Sequence, residues 1–221
     1  MARQLERLQQ ALARGMPRRG WKIGINVPEV LGRLDLPHPG VGWLDGRRVF
    51  SGGAELKSQS GKRLHAEPEL AIRLARTVPP GCTSPAAWDC IGAVHPALEI
   101  VDYAKPGAGL DDVVAHCMFH DATVLAQPAS LAAARELGPP WPILRVGTRS
   151  SNGPRADLVP SDLGKLVAFV ADYLAVFGQS LQSDDLLLSG SYTVKAMALG
   201  PGDEASADFG PLGTVSVSVA A

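Results

Sequence analysis

Two glutamates separated by one residue, Glu67 and Glu69, lie in the run Leu64-His65-Ala66-Glu67-Pro68-Glu69-Leu70-Ala71-Ile72. The run is otherwise apolar and reads as a strand, and residues two apart on a strand share a face. Both carboxylates then aim at one point, where they repel unless a positive charge lies between them. A hard divalent cation such as Mg²⁺ answers that need because it takes oxygen ligands. A third acid, Glu99, sits in a second apolar run, Val94-His95-Pro96-Ala97-Leu98-Glu99-Ile100-Val101-Asp102. A carboxylate in apolar surroundings needs a partner. The three acids together offer oxygen ligands for one cation and leave positions for substrate and water. The plainer alternative is a set of surface acids on strand edges, a place that Pro68 suits.

Lys22, between Trp21 and Ile23 on an expected strand, is a candidate general base or a cation for a carboxylate substrate. A strand lysine that merely snorkels to solvent is the competing reading. His116 and His120 are four apart on an expected helix, half of a zinc site by spacing, with no obvious third ligand. A role lining the active site is left open for them. Gly190-Ser191-Tyr192-Thr193 follows the apolar Leu186-Leu187-Leu188, where small residues let backbone and hydroxyls approach a ligand, or simply form a tight turn. Ser191 has no nucleophile-elbow context, so no serine hydrolase is inferred.

The elements that must position these residues are read from periodicity. Leu5, Leu8 and Leu12 predict a short N-terminal helix, and Trp21 to Ile25 a strand. Val27 to Leu36 suits a short helix. Asp45-Gly46, between Val41–Leu44 and Arg47–Phe50, predicts a hairpin. Leu110 to His120 reads as a helix opened by Asp111 and Asp112, and Ala122 to Ala126 as a strand. Ser130 to Leu137 predicts a serine-capped helix. Ser161 to Phe177 is the clearest helix, with an apolar stripe through Leu163, Leu166, Val167, Val170, Leu174 and Phe177. Leu186–Leu188, Val194–Leu199 and Thr214–Val219 predict strands. No repeat or interdomain linker divides the chain, so residues 1–221 are expected to form one domain, with a short helical region over about 1–19.

Composition narrows the function classes. With 46% hydrophobic and 19% charged residues, the chain of 221 is expected to be compact rather than disordered. A formal charge of -1 and sparse aromatics give no field or stacking surface for nucleic acid, and none for anionic membrane. No apolar run approaches a membrane span or a signal peptide. Three irregularly spaced cysteines do not suggest a disulfide framework. A cytoplasmic setting is expected.

The order of segments adds a resemblance. Gly20-Trp21-Lys22-Ile23-Gly24, Glu67-Pro68-Glu69, Pro96-Ala97-Leu98-Glu99-Ile100-Val101-Asp102, Gly190-Ser191, and the final Gly202-Asp203 and Phe209-Gly210-Pro211-Leu212-Gly213-Thr214-Val215 run in one order. The chain thereby resembles, from about Gly20 to Val219, the 2-oxopent-4-enoate hydratase and 4-oxalocrotonate decarboxylase family of the fumarylacetoacetate hydrolase superfamily. The resemblance implies an α+β fold, a mixed β-sheet roll with flanking helices, and a homo-oligomer. It implies Mg²⁺ or Mn²⁺ on Glu67, Glu69 and Glu99, and Lys22 as acid/base or charge partner. It makes Asp102 a supporting residue or alternative ligand, and Gly190 and Ser191, with His120, substrate contacts. The implied activity is that of a lyase on a 2-oxo acid or related dicarbonyl through a metal-stabilised enolate, as hydratase or decarboxylase.

Two stretches depart from the family pattern. Ala115 to Asp121 replaces an Asp/Asn/Ser-rich segment, and Pro154 to Pro160 replaces a glycine-containing continuation after Asn152-Gly153. Both are expected to line the pocket, so the substrate is expected to differ from simple dienoates and to suit a repurposed, biosynthetic member. They also motivate one alternative, a non-catalytic partner subunit; the resemblance itself leaves another, a C–C bond hydrolase with His116 or His120 activating water.

Overall fold

The computed structural model describes residues 1–57, 59–136, 142–151, 157–158 and 162–221. Its helices are α1 (Ala2–Ala13), α2 (Pro28–Arg33), α3 (Ser84–Trp88), α4 (Leu110–Ala115), α5 (Leu131–Arg135) and α6 (Leu163–Ala175). The strands of the first half are β1 (Arg18–Gly24), β2 (Gly40–Asp45), β3 (Val49–Ser51), β4 (Ala54–Leu56), β5 (Leu64–Leu74), β6 (Ile91–Asp102) and β7 (His120–Leu125). Those of the second are β8 (Ile143–Val146), β9 (Arg149–Ser150), β10 (Leu186–Leu188), β11 (Met197–Ala198), β12 (Glu204–Asp208) and β13 (Thr214–Val219). The fold is α+β, with mixed sheets curled into a half-barrel and helices around it.

One sheet runs β2-β1-β10-β5-β6-β7-β3, with β11 also on β5; a second runs β4-β13-β12-β8-β9. β5 and β6 are the long central pair, antiparallel from Leu64↔Asp102 to Leu74↔Ile91. Leu70, Ala71 and Ile72 are buried in succession, so β5 is covered on both faces there and reads as an apolar run instead of alternating. The two acids therefore lie on an interior strand, which removes the strand-edge alternative. Pro68 is tolerated because it falls in the gap between β11, which pairs at His65 and Ala66, and β10, which pairs at Ala71 to Arg73. Gly20 lets β1 lie against β10: its φ is +146°, and a Cβ there would stand 1.9 Å from the Leu186 carbonyl oxygen.

The predicted helix over Ser161 to Phe177 is observed as α6, starting at Leu163 and ending at Ala175; Ser161 lies outside the described residues. Its Asp162 cap accepts from Gly164 N at 2.8 Å and Lys165 N at 3.2 Å. Leu163, Val167, Val170 and Leu174 of the expected stripe are buried, whereas Phe177 is exposed. Ser130 caps α5 by accepting from Ala133 N at 3.1 Å; Leu137 lies outside the described residues. Among the described residues no helix is long and apolar enough to cross a membrane.

Three expectations are corrected. Asp45-Gly46 does not close a hairpin. The Asp45 carboxylate instead accepts from Arg47 N at 2.9 Å and caps a single 3₁₀ turn, after which β3 pairs in parallel with β7. The helix expected from Leu110 to His120 stops at Ala115. Cys117, Met118 and Phe119 then adopt left-handed backbone (φ 52°, 50° and 68°), and His120 opens a strand, so His116 and His120 share no helix face. The strand expected over Val194–Leu199 shrinks to Met197–Ala198. Asn152-Gly153 and the Pro154–Ala156 and Val159–Pro160 stretches lie outside the described residues.

Candidate metal centre

Register builds the site. Glu67 on β5 is directly opposite Glu99 on β6, and Glu69 follows two residues along the same face. One carboxylate oxygen from each of the three lies within 4.8 Å of the others. Glu69 and Glu99 are fully buried and Glu67 is half-buried. Lys22 reaches them from β1, two strands from β5 and three from β6 in the curled sheet, with its own side chain buried. Its Nζ donates to both Glu99 oxygens, at 2.6 Å to Oε2. His120 Nδ1 donates to Glu99 Oε1 at 2.8 Å, because the ionised carboxylate can only accept.

The His120 contact depends on a bulge. Glu99 is opposite Thr123 and Ile100 opposite Ala122, but Val101 is opposite His120, so Asp121 is the extra residue. The bulge turns His120 onto the Glu99 face, where strict alternation from Thr123 would have set Asp121.

Three carboxylates face one ammonium, and their protonation follows from that imbalance. Burial raises Glu99, but Lys22 and His120 outweigh it and hold the carboxyl down at about 2. Burial, reinforced by the Glu99 charge, pushes Glu67 up to about 7 and Glu69 well above the usual carboxylate range. For Lys22, burial works against the charge, yet Glu99, Glu69 and Glu67 together hold it above its ordinary value. His120 is lowered, chiefly by burial, so it is a neutral imidazole. Glu69 Oε2 accepts from Gly190 N at 3.0 Å, while its Oε1 is buried with no partner. A buried carboxylate oxygen with no partner, in a cluster short of positive charge, fits a divalent cation bound by Glu67, Glu69 and Glu99.

A cavity of about 190 Å³ opens over the acids. Lys22, Glu67 and Glu69 form its floor, and Asn26, Tyr103, Ser191 and Thr193 supply polar wall. The remainder is apolar, including Ile25, Val27, Val30, Val113, Met118 and Phe119. Gly190 has φ +87° and a Cβ there would meet the Asn26 amide at 3.0 Å, so only glycine brings this backbone N–H onto Glu69. Asn26 Nδ2 in turn donates to Ser191 O at 2.9 Å.

The expected site residues thus divide. Lys22, Glu67, Glu69, Glu99 and Gly190 come together around the acids, and Ser191 lines the cavity. Asp102 lies away from them: its Oδ1 accepts from Arg63 N and Ala104 N, both at 2.9 Å, and pins the end of β6. His120 touches Glu99 but does not line the metal cavity. His116 Nδ1 bonds Asp112 O at 2.9 Å on its own helix. Thr193 falls in the Gly190–Thr193 stretch, and Met118 and Phe119 in the Ala115–Asp121 stretch, that were expected to face a ligand, whereas Asn26 and Tyr103 were not anticipated as cavity lining.

A scan of protein-family models gave no match. Among curated proteins, the chain is 24% identical over 226 residues to the 2-oxo-hept-4-ene-1,7-dioate hydratase of Escherichia coli, covering 96% of this chain and 83% of that one. Among solved structures it matches 4-oxalocrotonate decarboxylase from Pseudomonas putida G7, complexed with magnesium and adipate, at TM-score 0.88 and 21% identity, covering 98% and 83% of the two chains. These likenesses show that the chain shares the fold of that decarboxylase. A weaker structural match is the fumarylpyruvate hydrolase of Pseudomonas aeruginosa with Mn²⁺ and pyruvate, at TM-score 0.72 and 15% identity over 93% of this chain and 90% of that one.

Proposed function

We propose that the protein is a divalent-metal-dependent lyase that hydrates or decarboxylates a 2-oxo acid through an enolate, with Mg²⁺ or Mn²⁺ on Glu67, Glu69 and Glu99. The observation that carries this reading is the convergence of three carboxylates on one point, two of them fully buried, with Glu69 Oε1 unpartnered. A bound cation would supply Lewis acidity to a 2-oxo acid chelated through its carboxylate and keto oxygens, and so stabilise the charge of the enolate. Lys22 holds a proton on Nζ at neutral pH and is the acid or charge partner beside that charge. Ser191, Thr193 and Asn26 offer hydrogen bonds to the substrate carboxylate, and the Gly190 N–H orients Glu69.

The apolar wall favours a substrate whose far end is uncharged. Lys22 is the only cation lining this cavity among the described residues, and it is engaged with Glu99. No histidine lines the cavity among the described residues, which favours hydratase or decarboxylase chemistry over a histidine-activated hydrolysis. A cytoplasmic homo-oligomer completes the reading, checked by sedimentation.

Turnover of an unsaturated 2-oxo acid with an apolar tail is expected to stop on chelation and return with Mg²⁺ or Mn²⁺. Full activity of Glu67→Ala without bound metal would overturn the reading. A preference for substrates ending in a second carboxylate would contradict the uncharged far end. A chain that binds no metal and copurifies with an active relative would instead be a non-catalytic partner.

A further inference from the structure

We propose that a second cavity, behind the metal centre, binds a small oxyanion that also carries a hydroxyl, such as a hydroxy acid or a phosphate group, and touches the centre through His120. This cavity, of about 400 Å³, lies between α1, β2 and β7. Its walls hold four cationic residues, Arg7, Arg48, Lys62 and Lys105, against two carboxylates, Asp45 and Asp121. Asp45 is already held from outside by Arg47, whose Nη2 donates to it at 2.7 Å. Asp121 alone takes Arg48 Nη2 at 2.6 Å and Lys62 Nζ at 2.7 Å, with Lys105 Nζ at 3.9 Å. Arg7 has no partner among the described residues. The cations exceed what the walls neutralise, and burial depresses the Lys105 ammonium despite Asp121.

Two buried polar atoms of the same walls also lack partners: Trp43 Nε1 and His120 Nε2. The indole N–H can only donate. His120 gives its Nδ1–H to Glu99, which leaves Nε2 an acceptor. A ligand with anionic oxygens for the cations and Trp43, and a hydroxyl for His120, meets all of these needs at once. A concave site of this size takes a small molecule.

The two cavities share no lining residue. The left-handed turn stands between them, with Met118 and Phe119 on the metal side and Cys117 on the other. The anion site stands on its own observations; only its coupling to the metal rests on the metal reading. Because His120 bonds Glu99, ligand and metal affinities would be linked reciprocally.

The test is calorimetric titration of the full chain with malate, succinate and inorganic phosphate, in saturating Mg²⁺ and oxalate to fill the metal cavity. One malate per chain is expected, at least about tenfold weaker in Arg7→Ala/Lys62→Ala and several-fold weaker in Trp43→Phe, with melting temperature controlling for folding. Succinate, which lacks the hydroxyl, is expected to bind several-fold more weakly than malate. Malate binding retained in Glu69→Gln would separate this site from the metal reading. Malate and phosphate both failing to bind, malate displaced by Mg²⁺-oxalate, or affinity indifferent to these variants or to the hydroxyl would overturn the proposal.

Discussion

Two charge clusters lie on either side of His120, and each inverts the other. Toward the metal cavity, three carboxylates surround one lysine, and Glu69 and Glu99 are fully buried. Toward the second cavity, three cations surround one carboxylate, Asp121, with the cations part-exposed. Neither cluster balances its own charge. The buried one cannot borrow solvent, so burial and the Glu99 charge raise Glu67 to about 7 and Glu69 well above the usual carboxylate range. The part-exposed one keeps its charges because water still reaches them. The difference between them is one of solvent access, and it is open to test from both sides.

The largest effect is expected at the single cation of the acidic cluster. Lys22→Met should lower turnover about 10²- to 10⁴-fold, the range for a lost proton donor. Divalent metal affinity should not fall, because the variant removes a competing positive charge; a matching fall in metal binding would make Lys22 a structural part of the metal site.

On the cationic side, Asp121→Asn should lower stability by about 2 kcal/mol, since it leaves Arg48 and Lys62 facing each other unpaired. Burial raises the Asp121 carboxyl, but Lys62 and Arg48 prevail and hold it below its unfolded value. Its stabilisation is therefore present above the unfolded pKa and lost as pH falls through the folded one. Denaturation curves across the acid range should be flatter in the variant; an unchanged acid limb would show that the cluster contributes nothing.

Glu67 has the opposite sign. Its folded pKa of about 7 lies above the ordinary value, so metal-free stability should decline as pH rises from the unfolded pKa through 7. Metal affinity should climb over the same interval, by at most about tenfold per pH unit for each proton released. Calorimetry in buffers of different ionisation enthalpy reads that proton directly, and a pH-independent affinity would contradict the assignment.

The smallest effect is expected for Glu69→Gln without metal: a modest rise in melting temperature at pH 8, because burial no longer has to hold a carboxyl away from the ionised form it takes in the unfolded chain. A fall would mean that the carboxylate supports the fold.

Much of the acidic cluster was legible because its logic is local. Glu67 and Glu69 share a strand face by spacing alone, and the apolar flanks of Glu99 announced its burial. The α6 stripe was legible for the same reason. The cationic cluster was not, because it assembles Arg7, Arg48, Lys62 and Lys105 around a bulge whose register appears only when β6 and β7 pair. That bulge turns His120 toward Glu99 and frees Asp121 for the other side. The turn at Cys117–Phe119 was equally hidden, since left-handed backbone at three non-glycine residues costs roughly 1–2 kcal/mol each and no residue type there signals it. Its support is tertiary: a Cβ at Gly24 would meet Met118 at 3.1 Å and one at Gly42 would meet Cys117 at 3.1 Å, so β1 and β2 leave room for it. The Asp45-Gly46 hairpin failed through competition, because β3 found a better partner in β7 than in its neighbour.

The central claim is that the three acids hold one divalent cation. Mn²⁺ titration of the chain at pH 8, followed by electron paramagnetic resonance, tests it most directly. One ion per chain is predicted, weakened at least about 100-fold in Glu69→Gln and in Glu99→Gln, as expected for the loss of several kcal/mol of charge interaction. No binding by the parent chain, or equal binding by the variants, would contradict it.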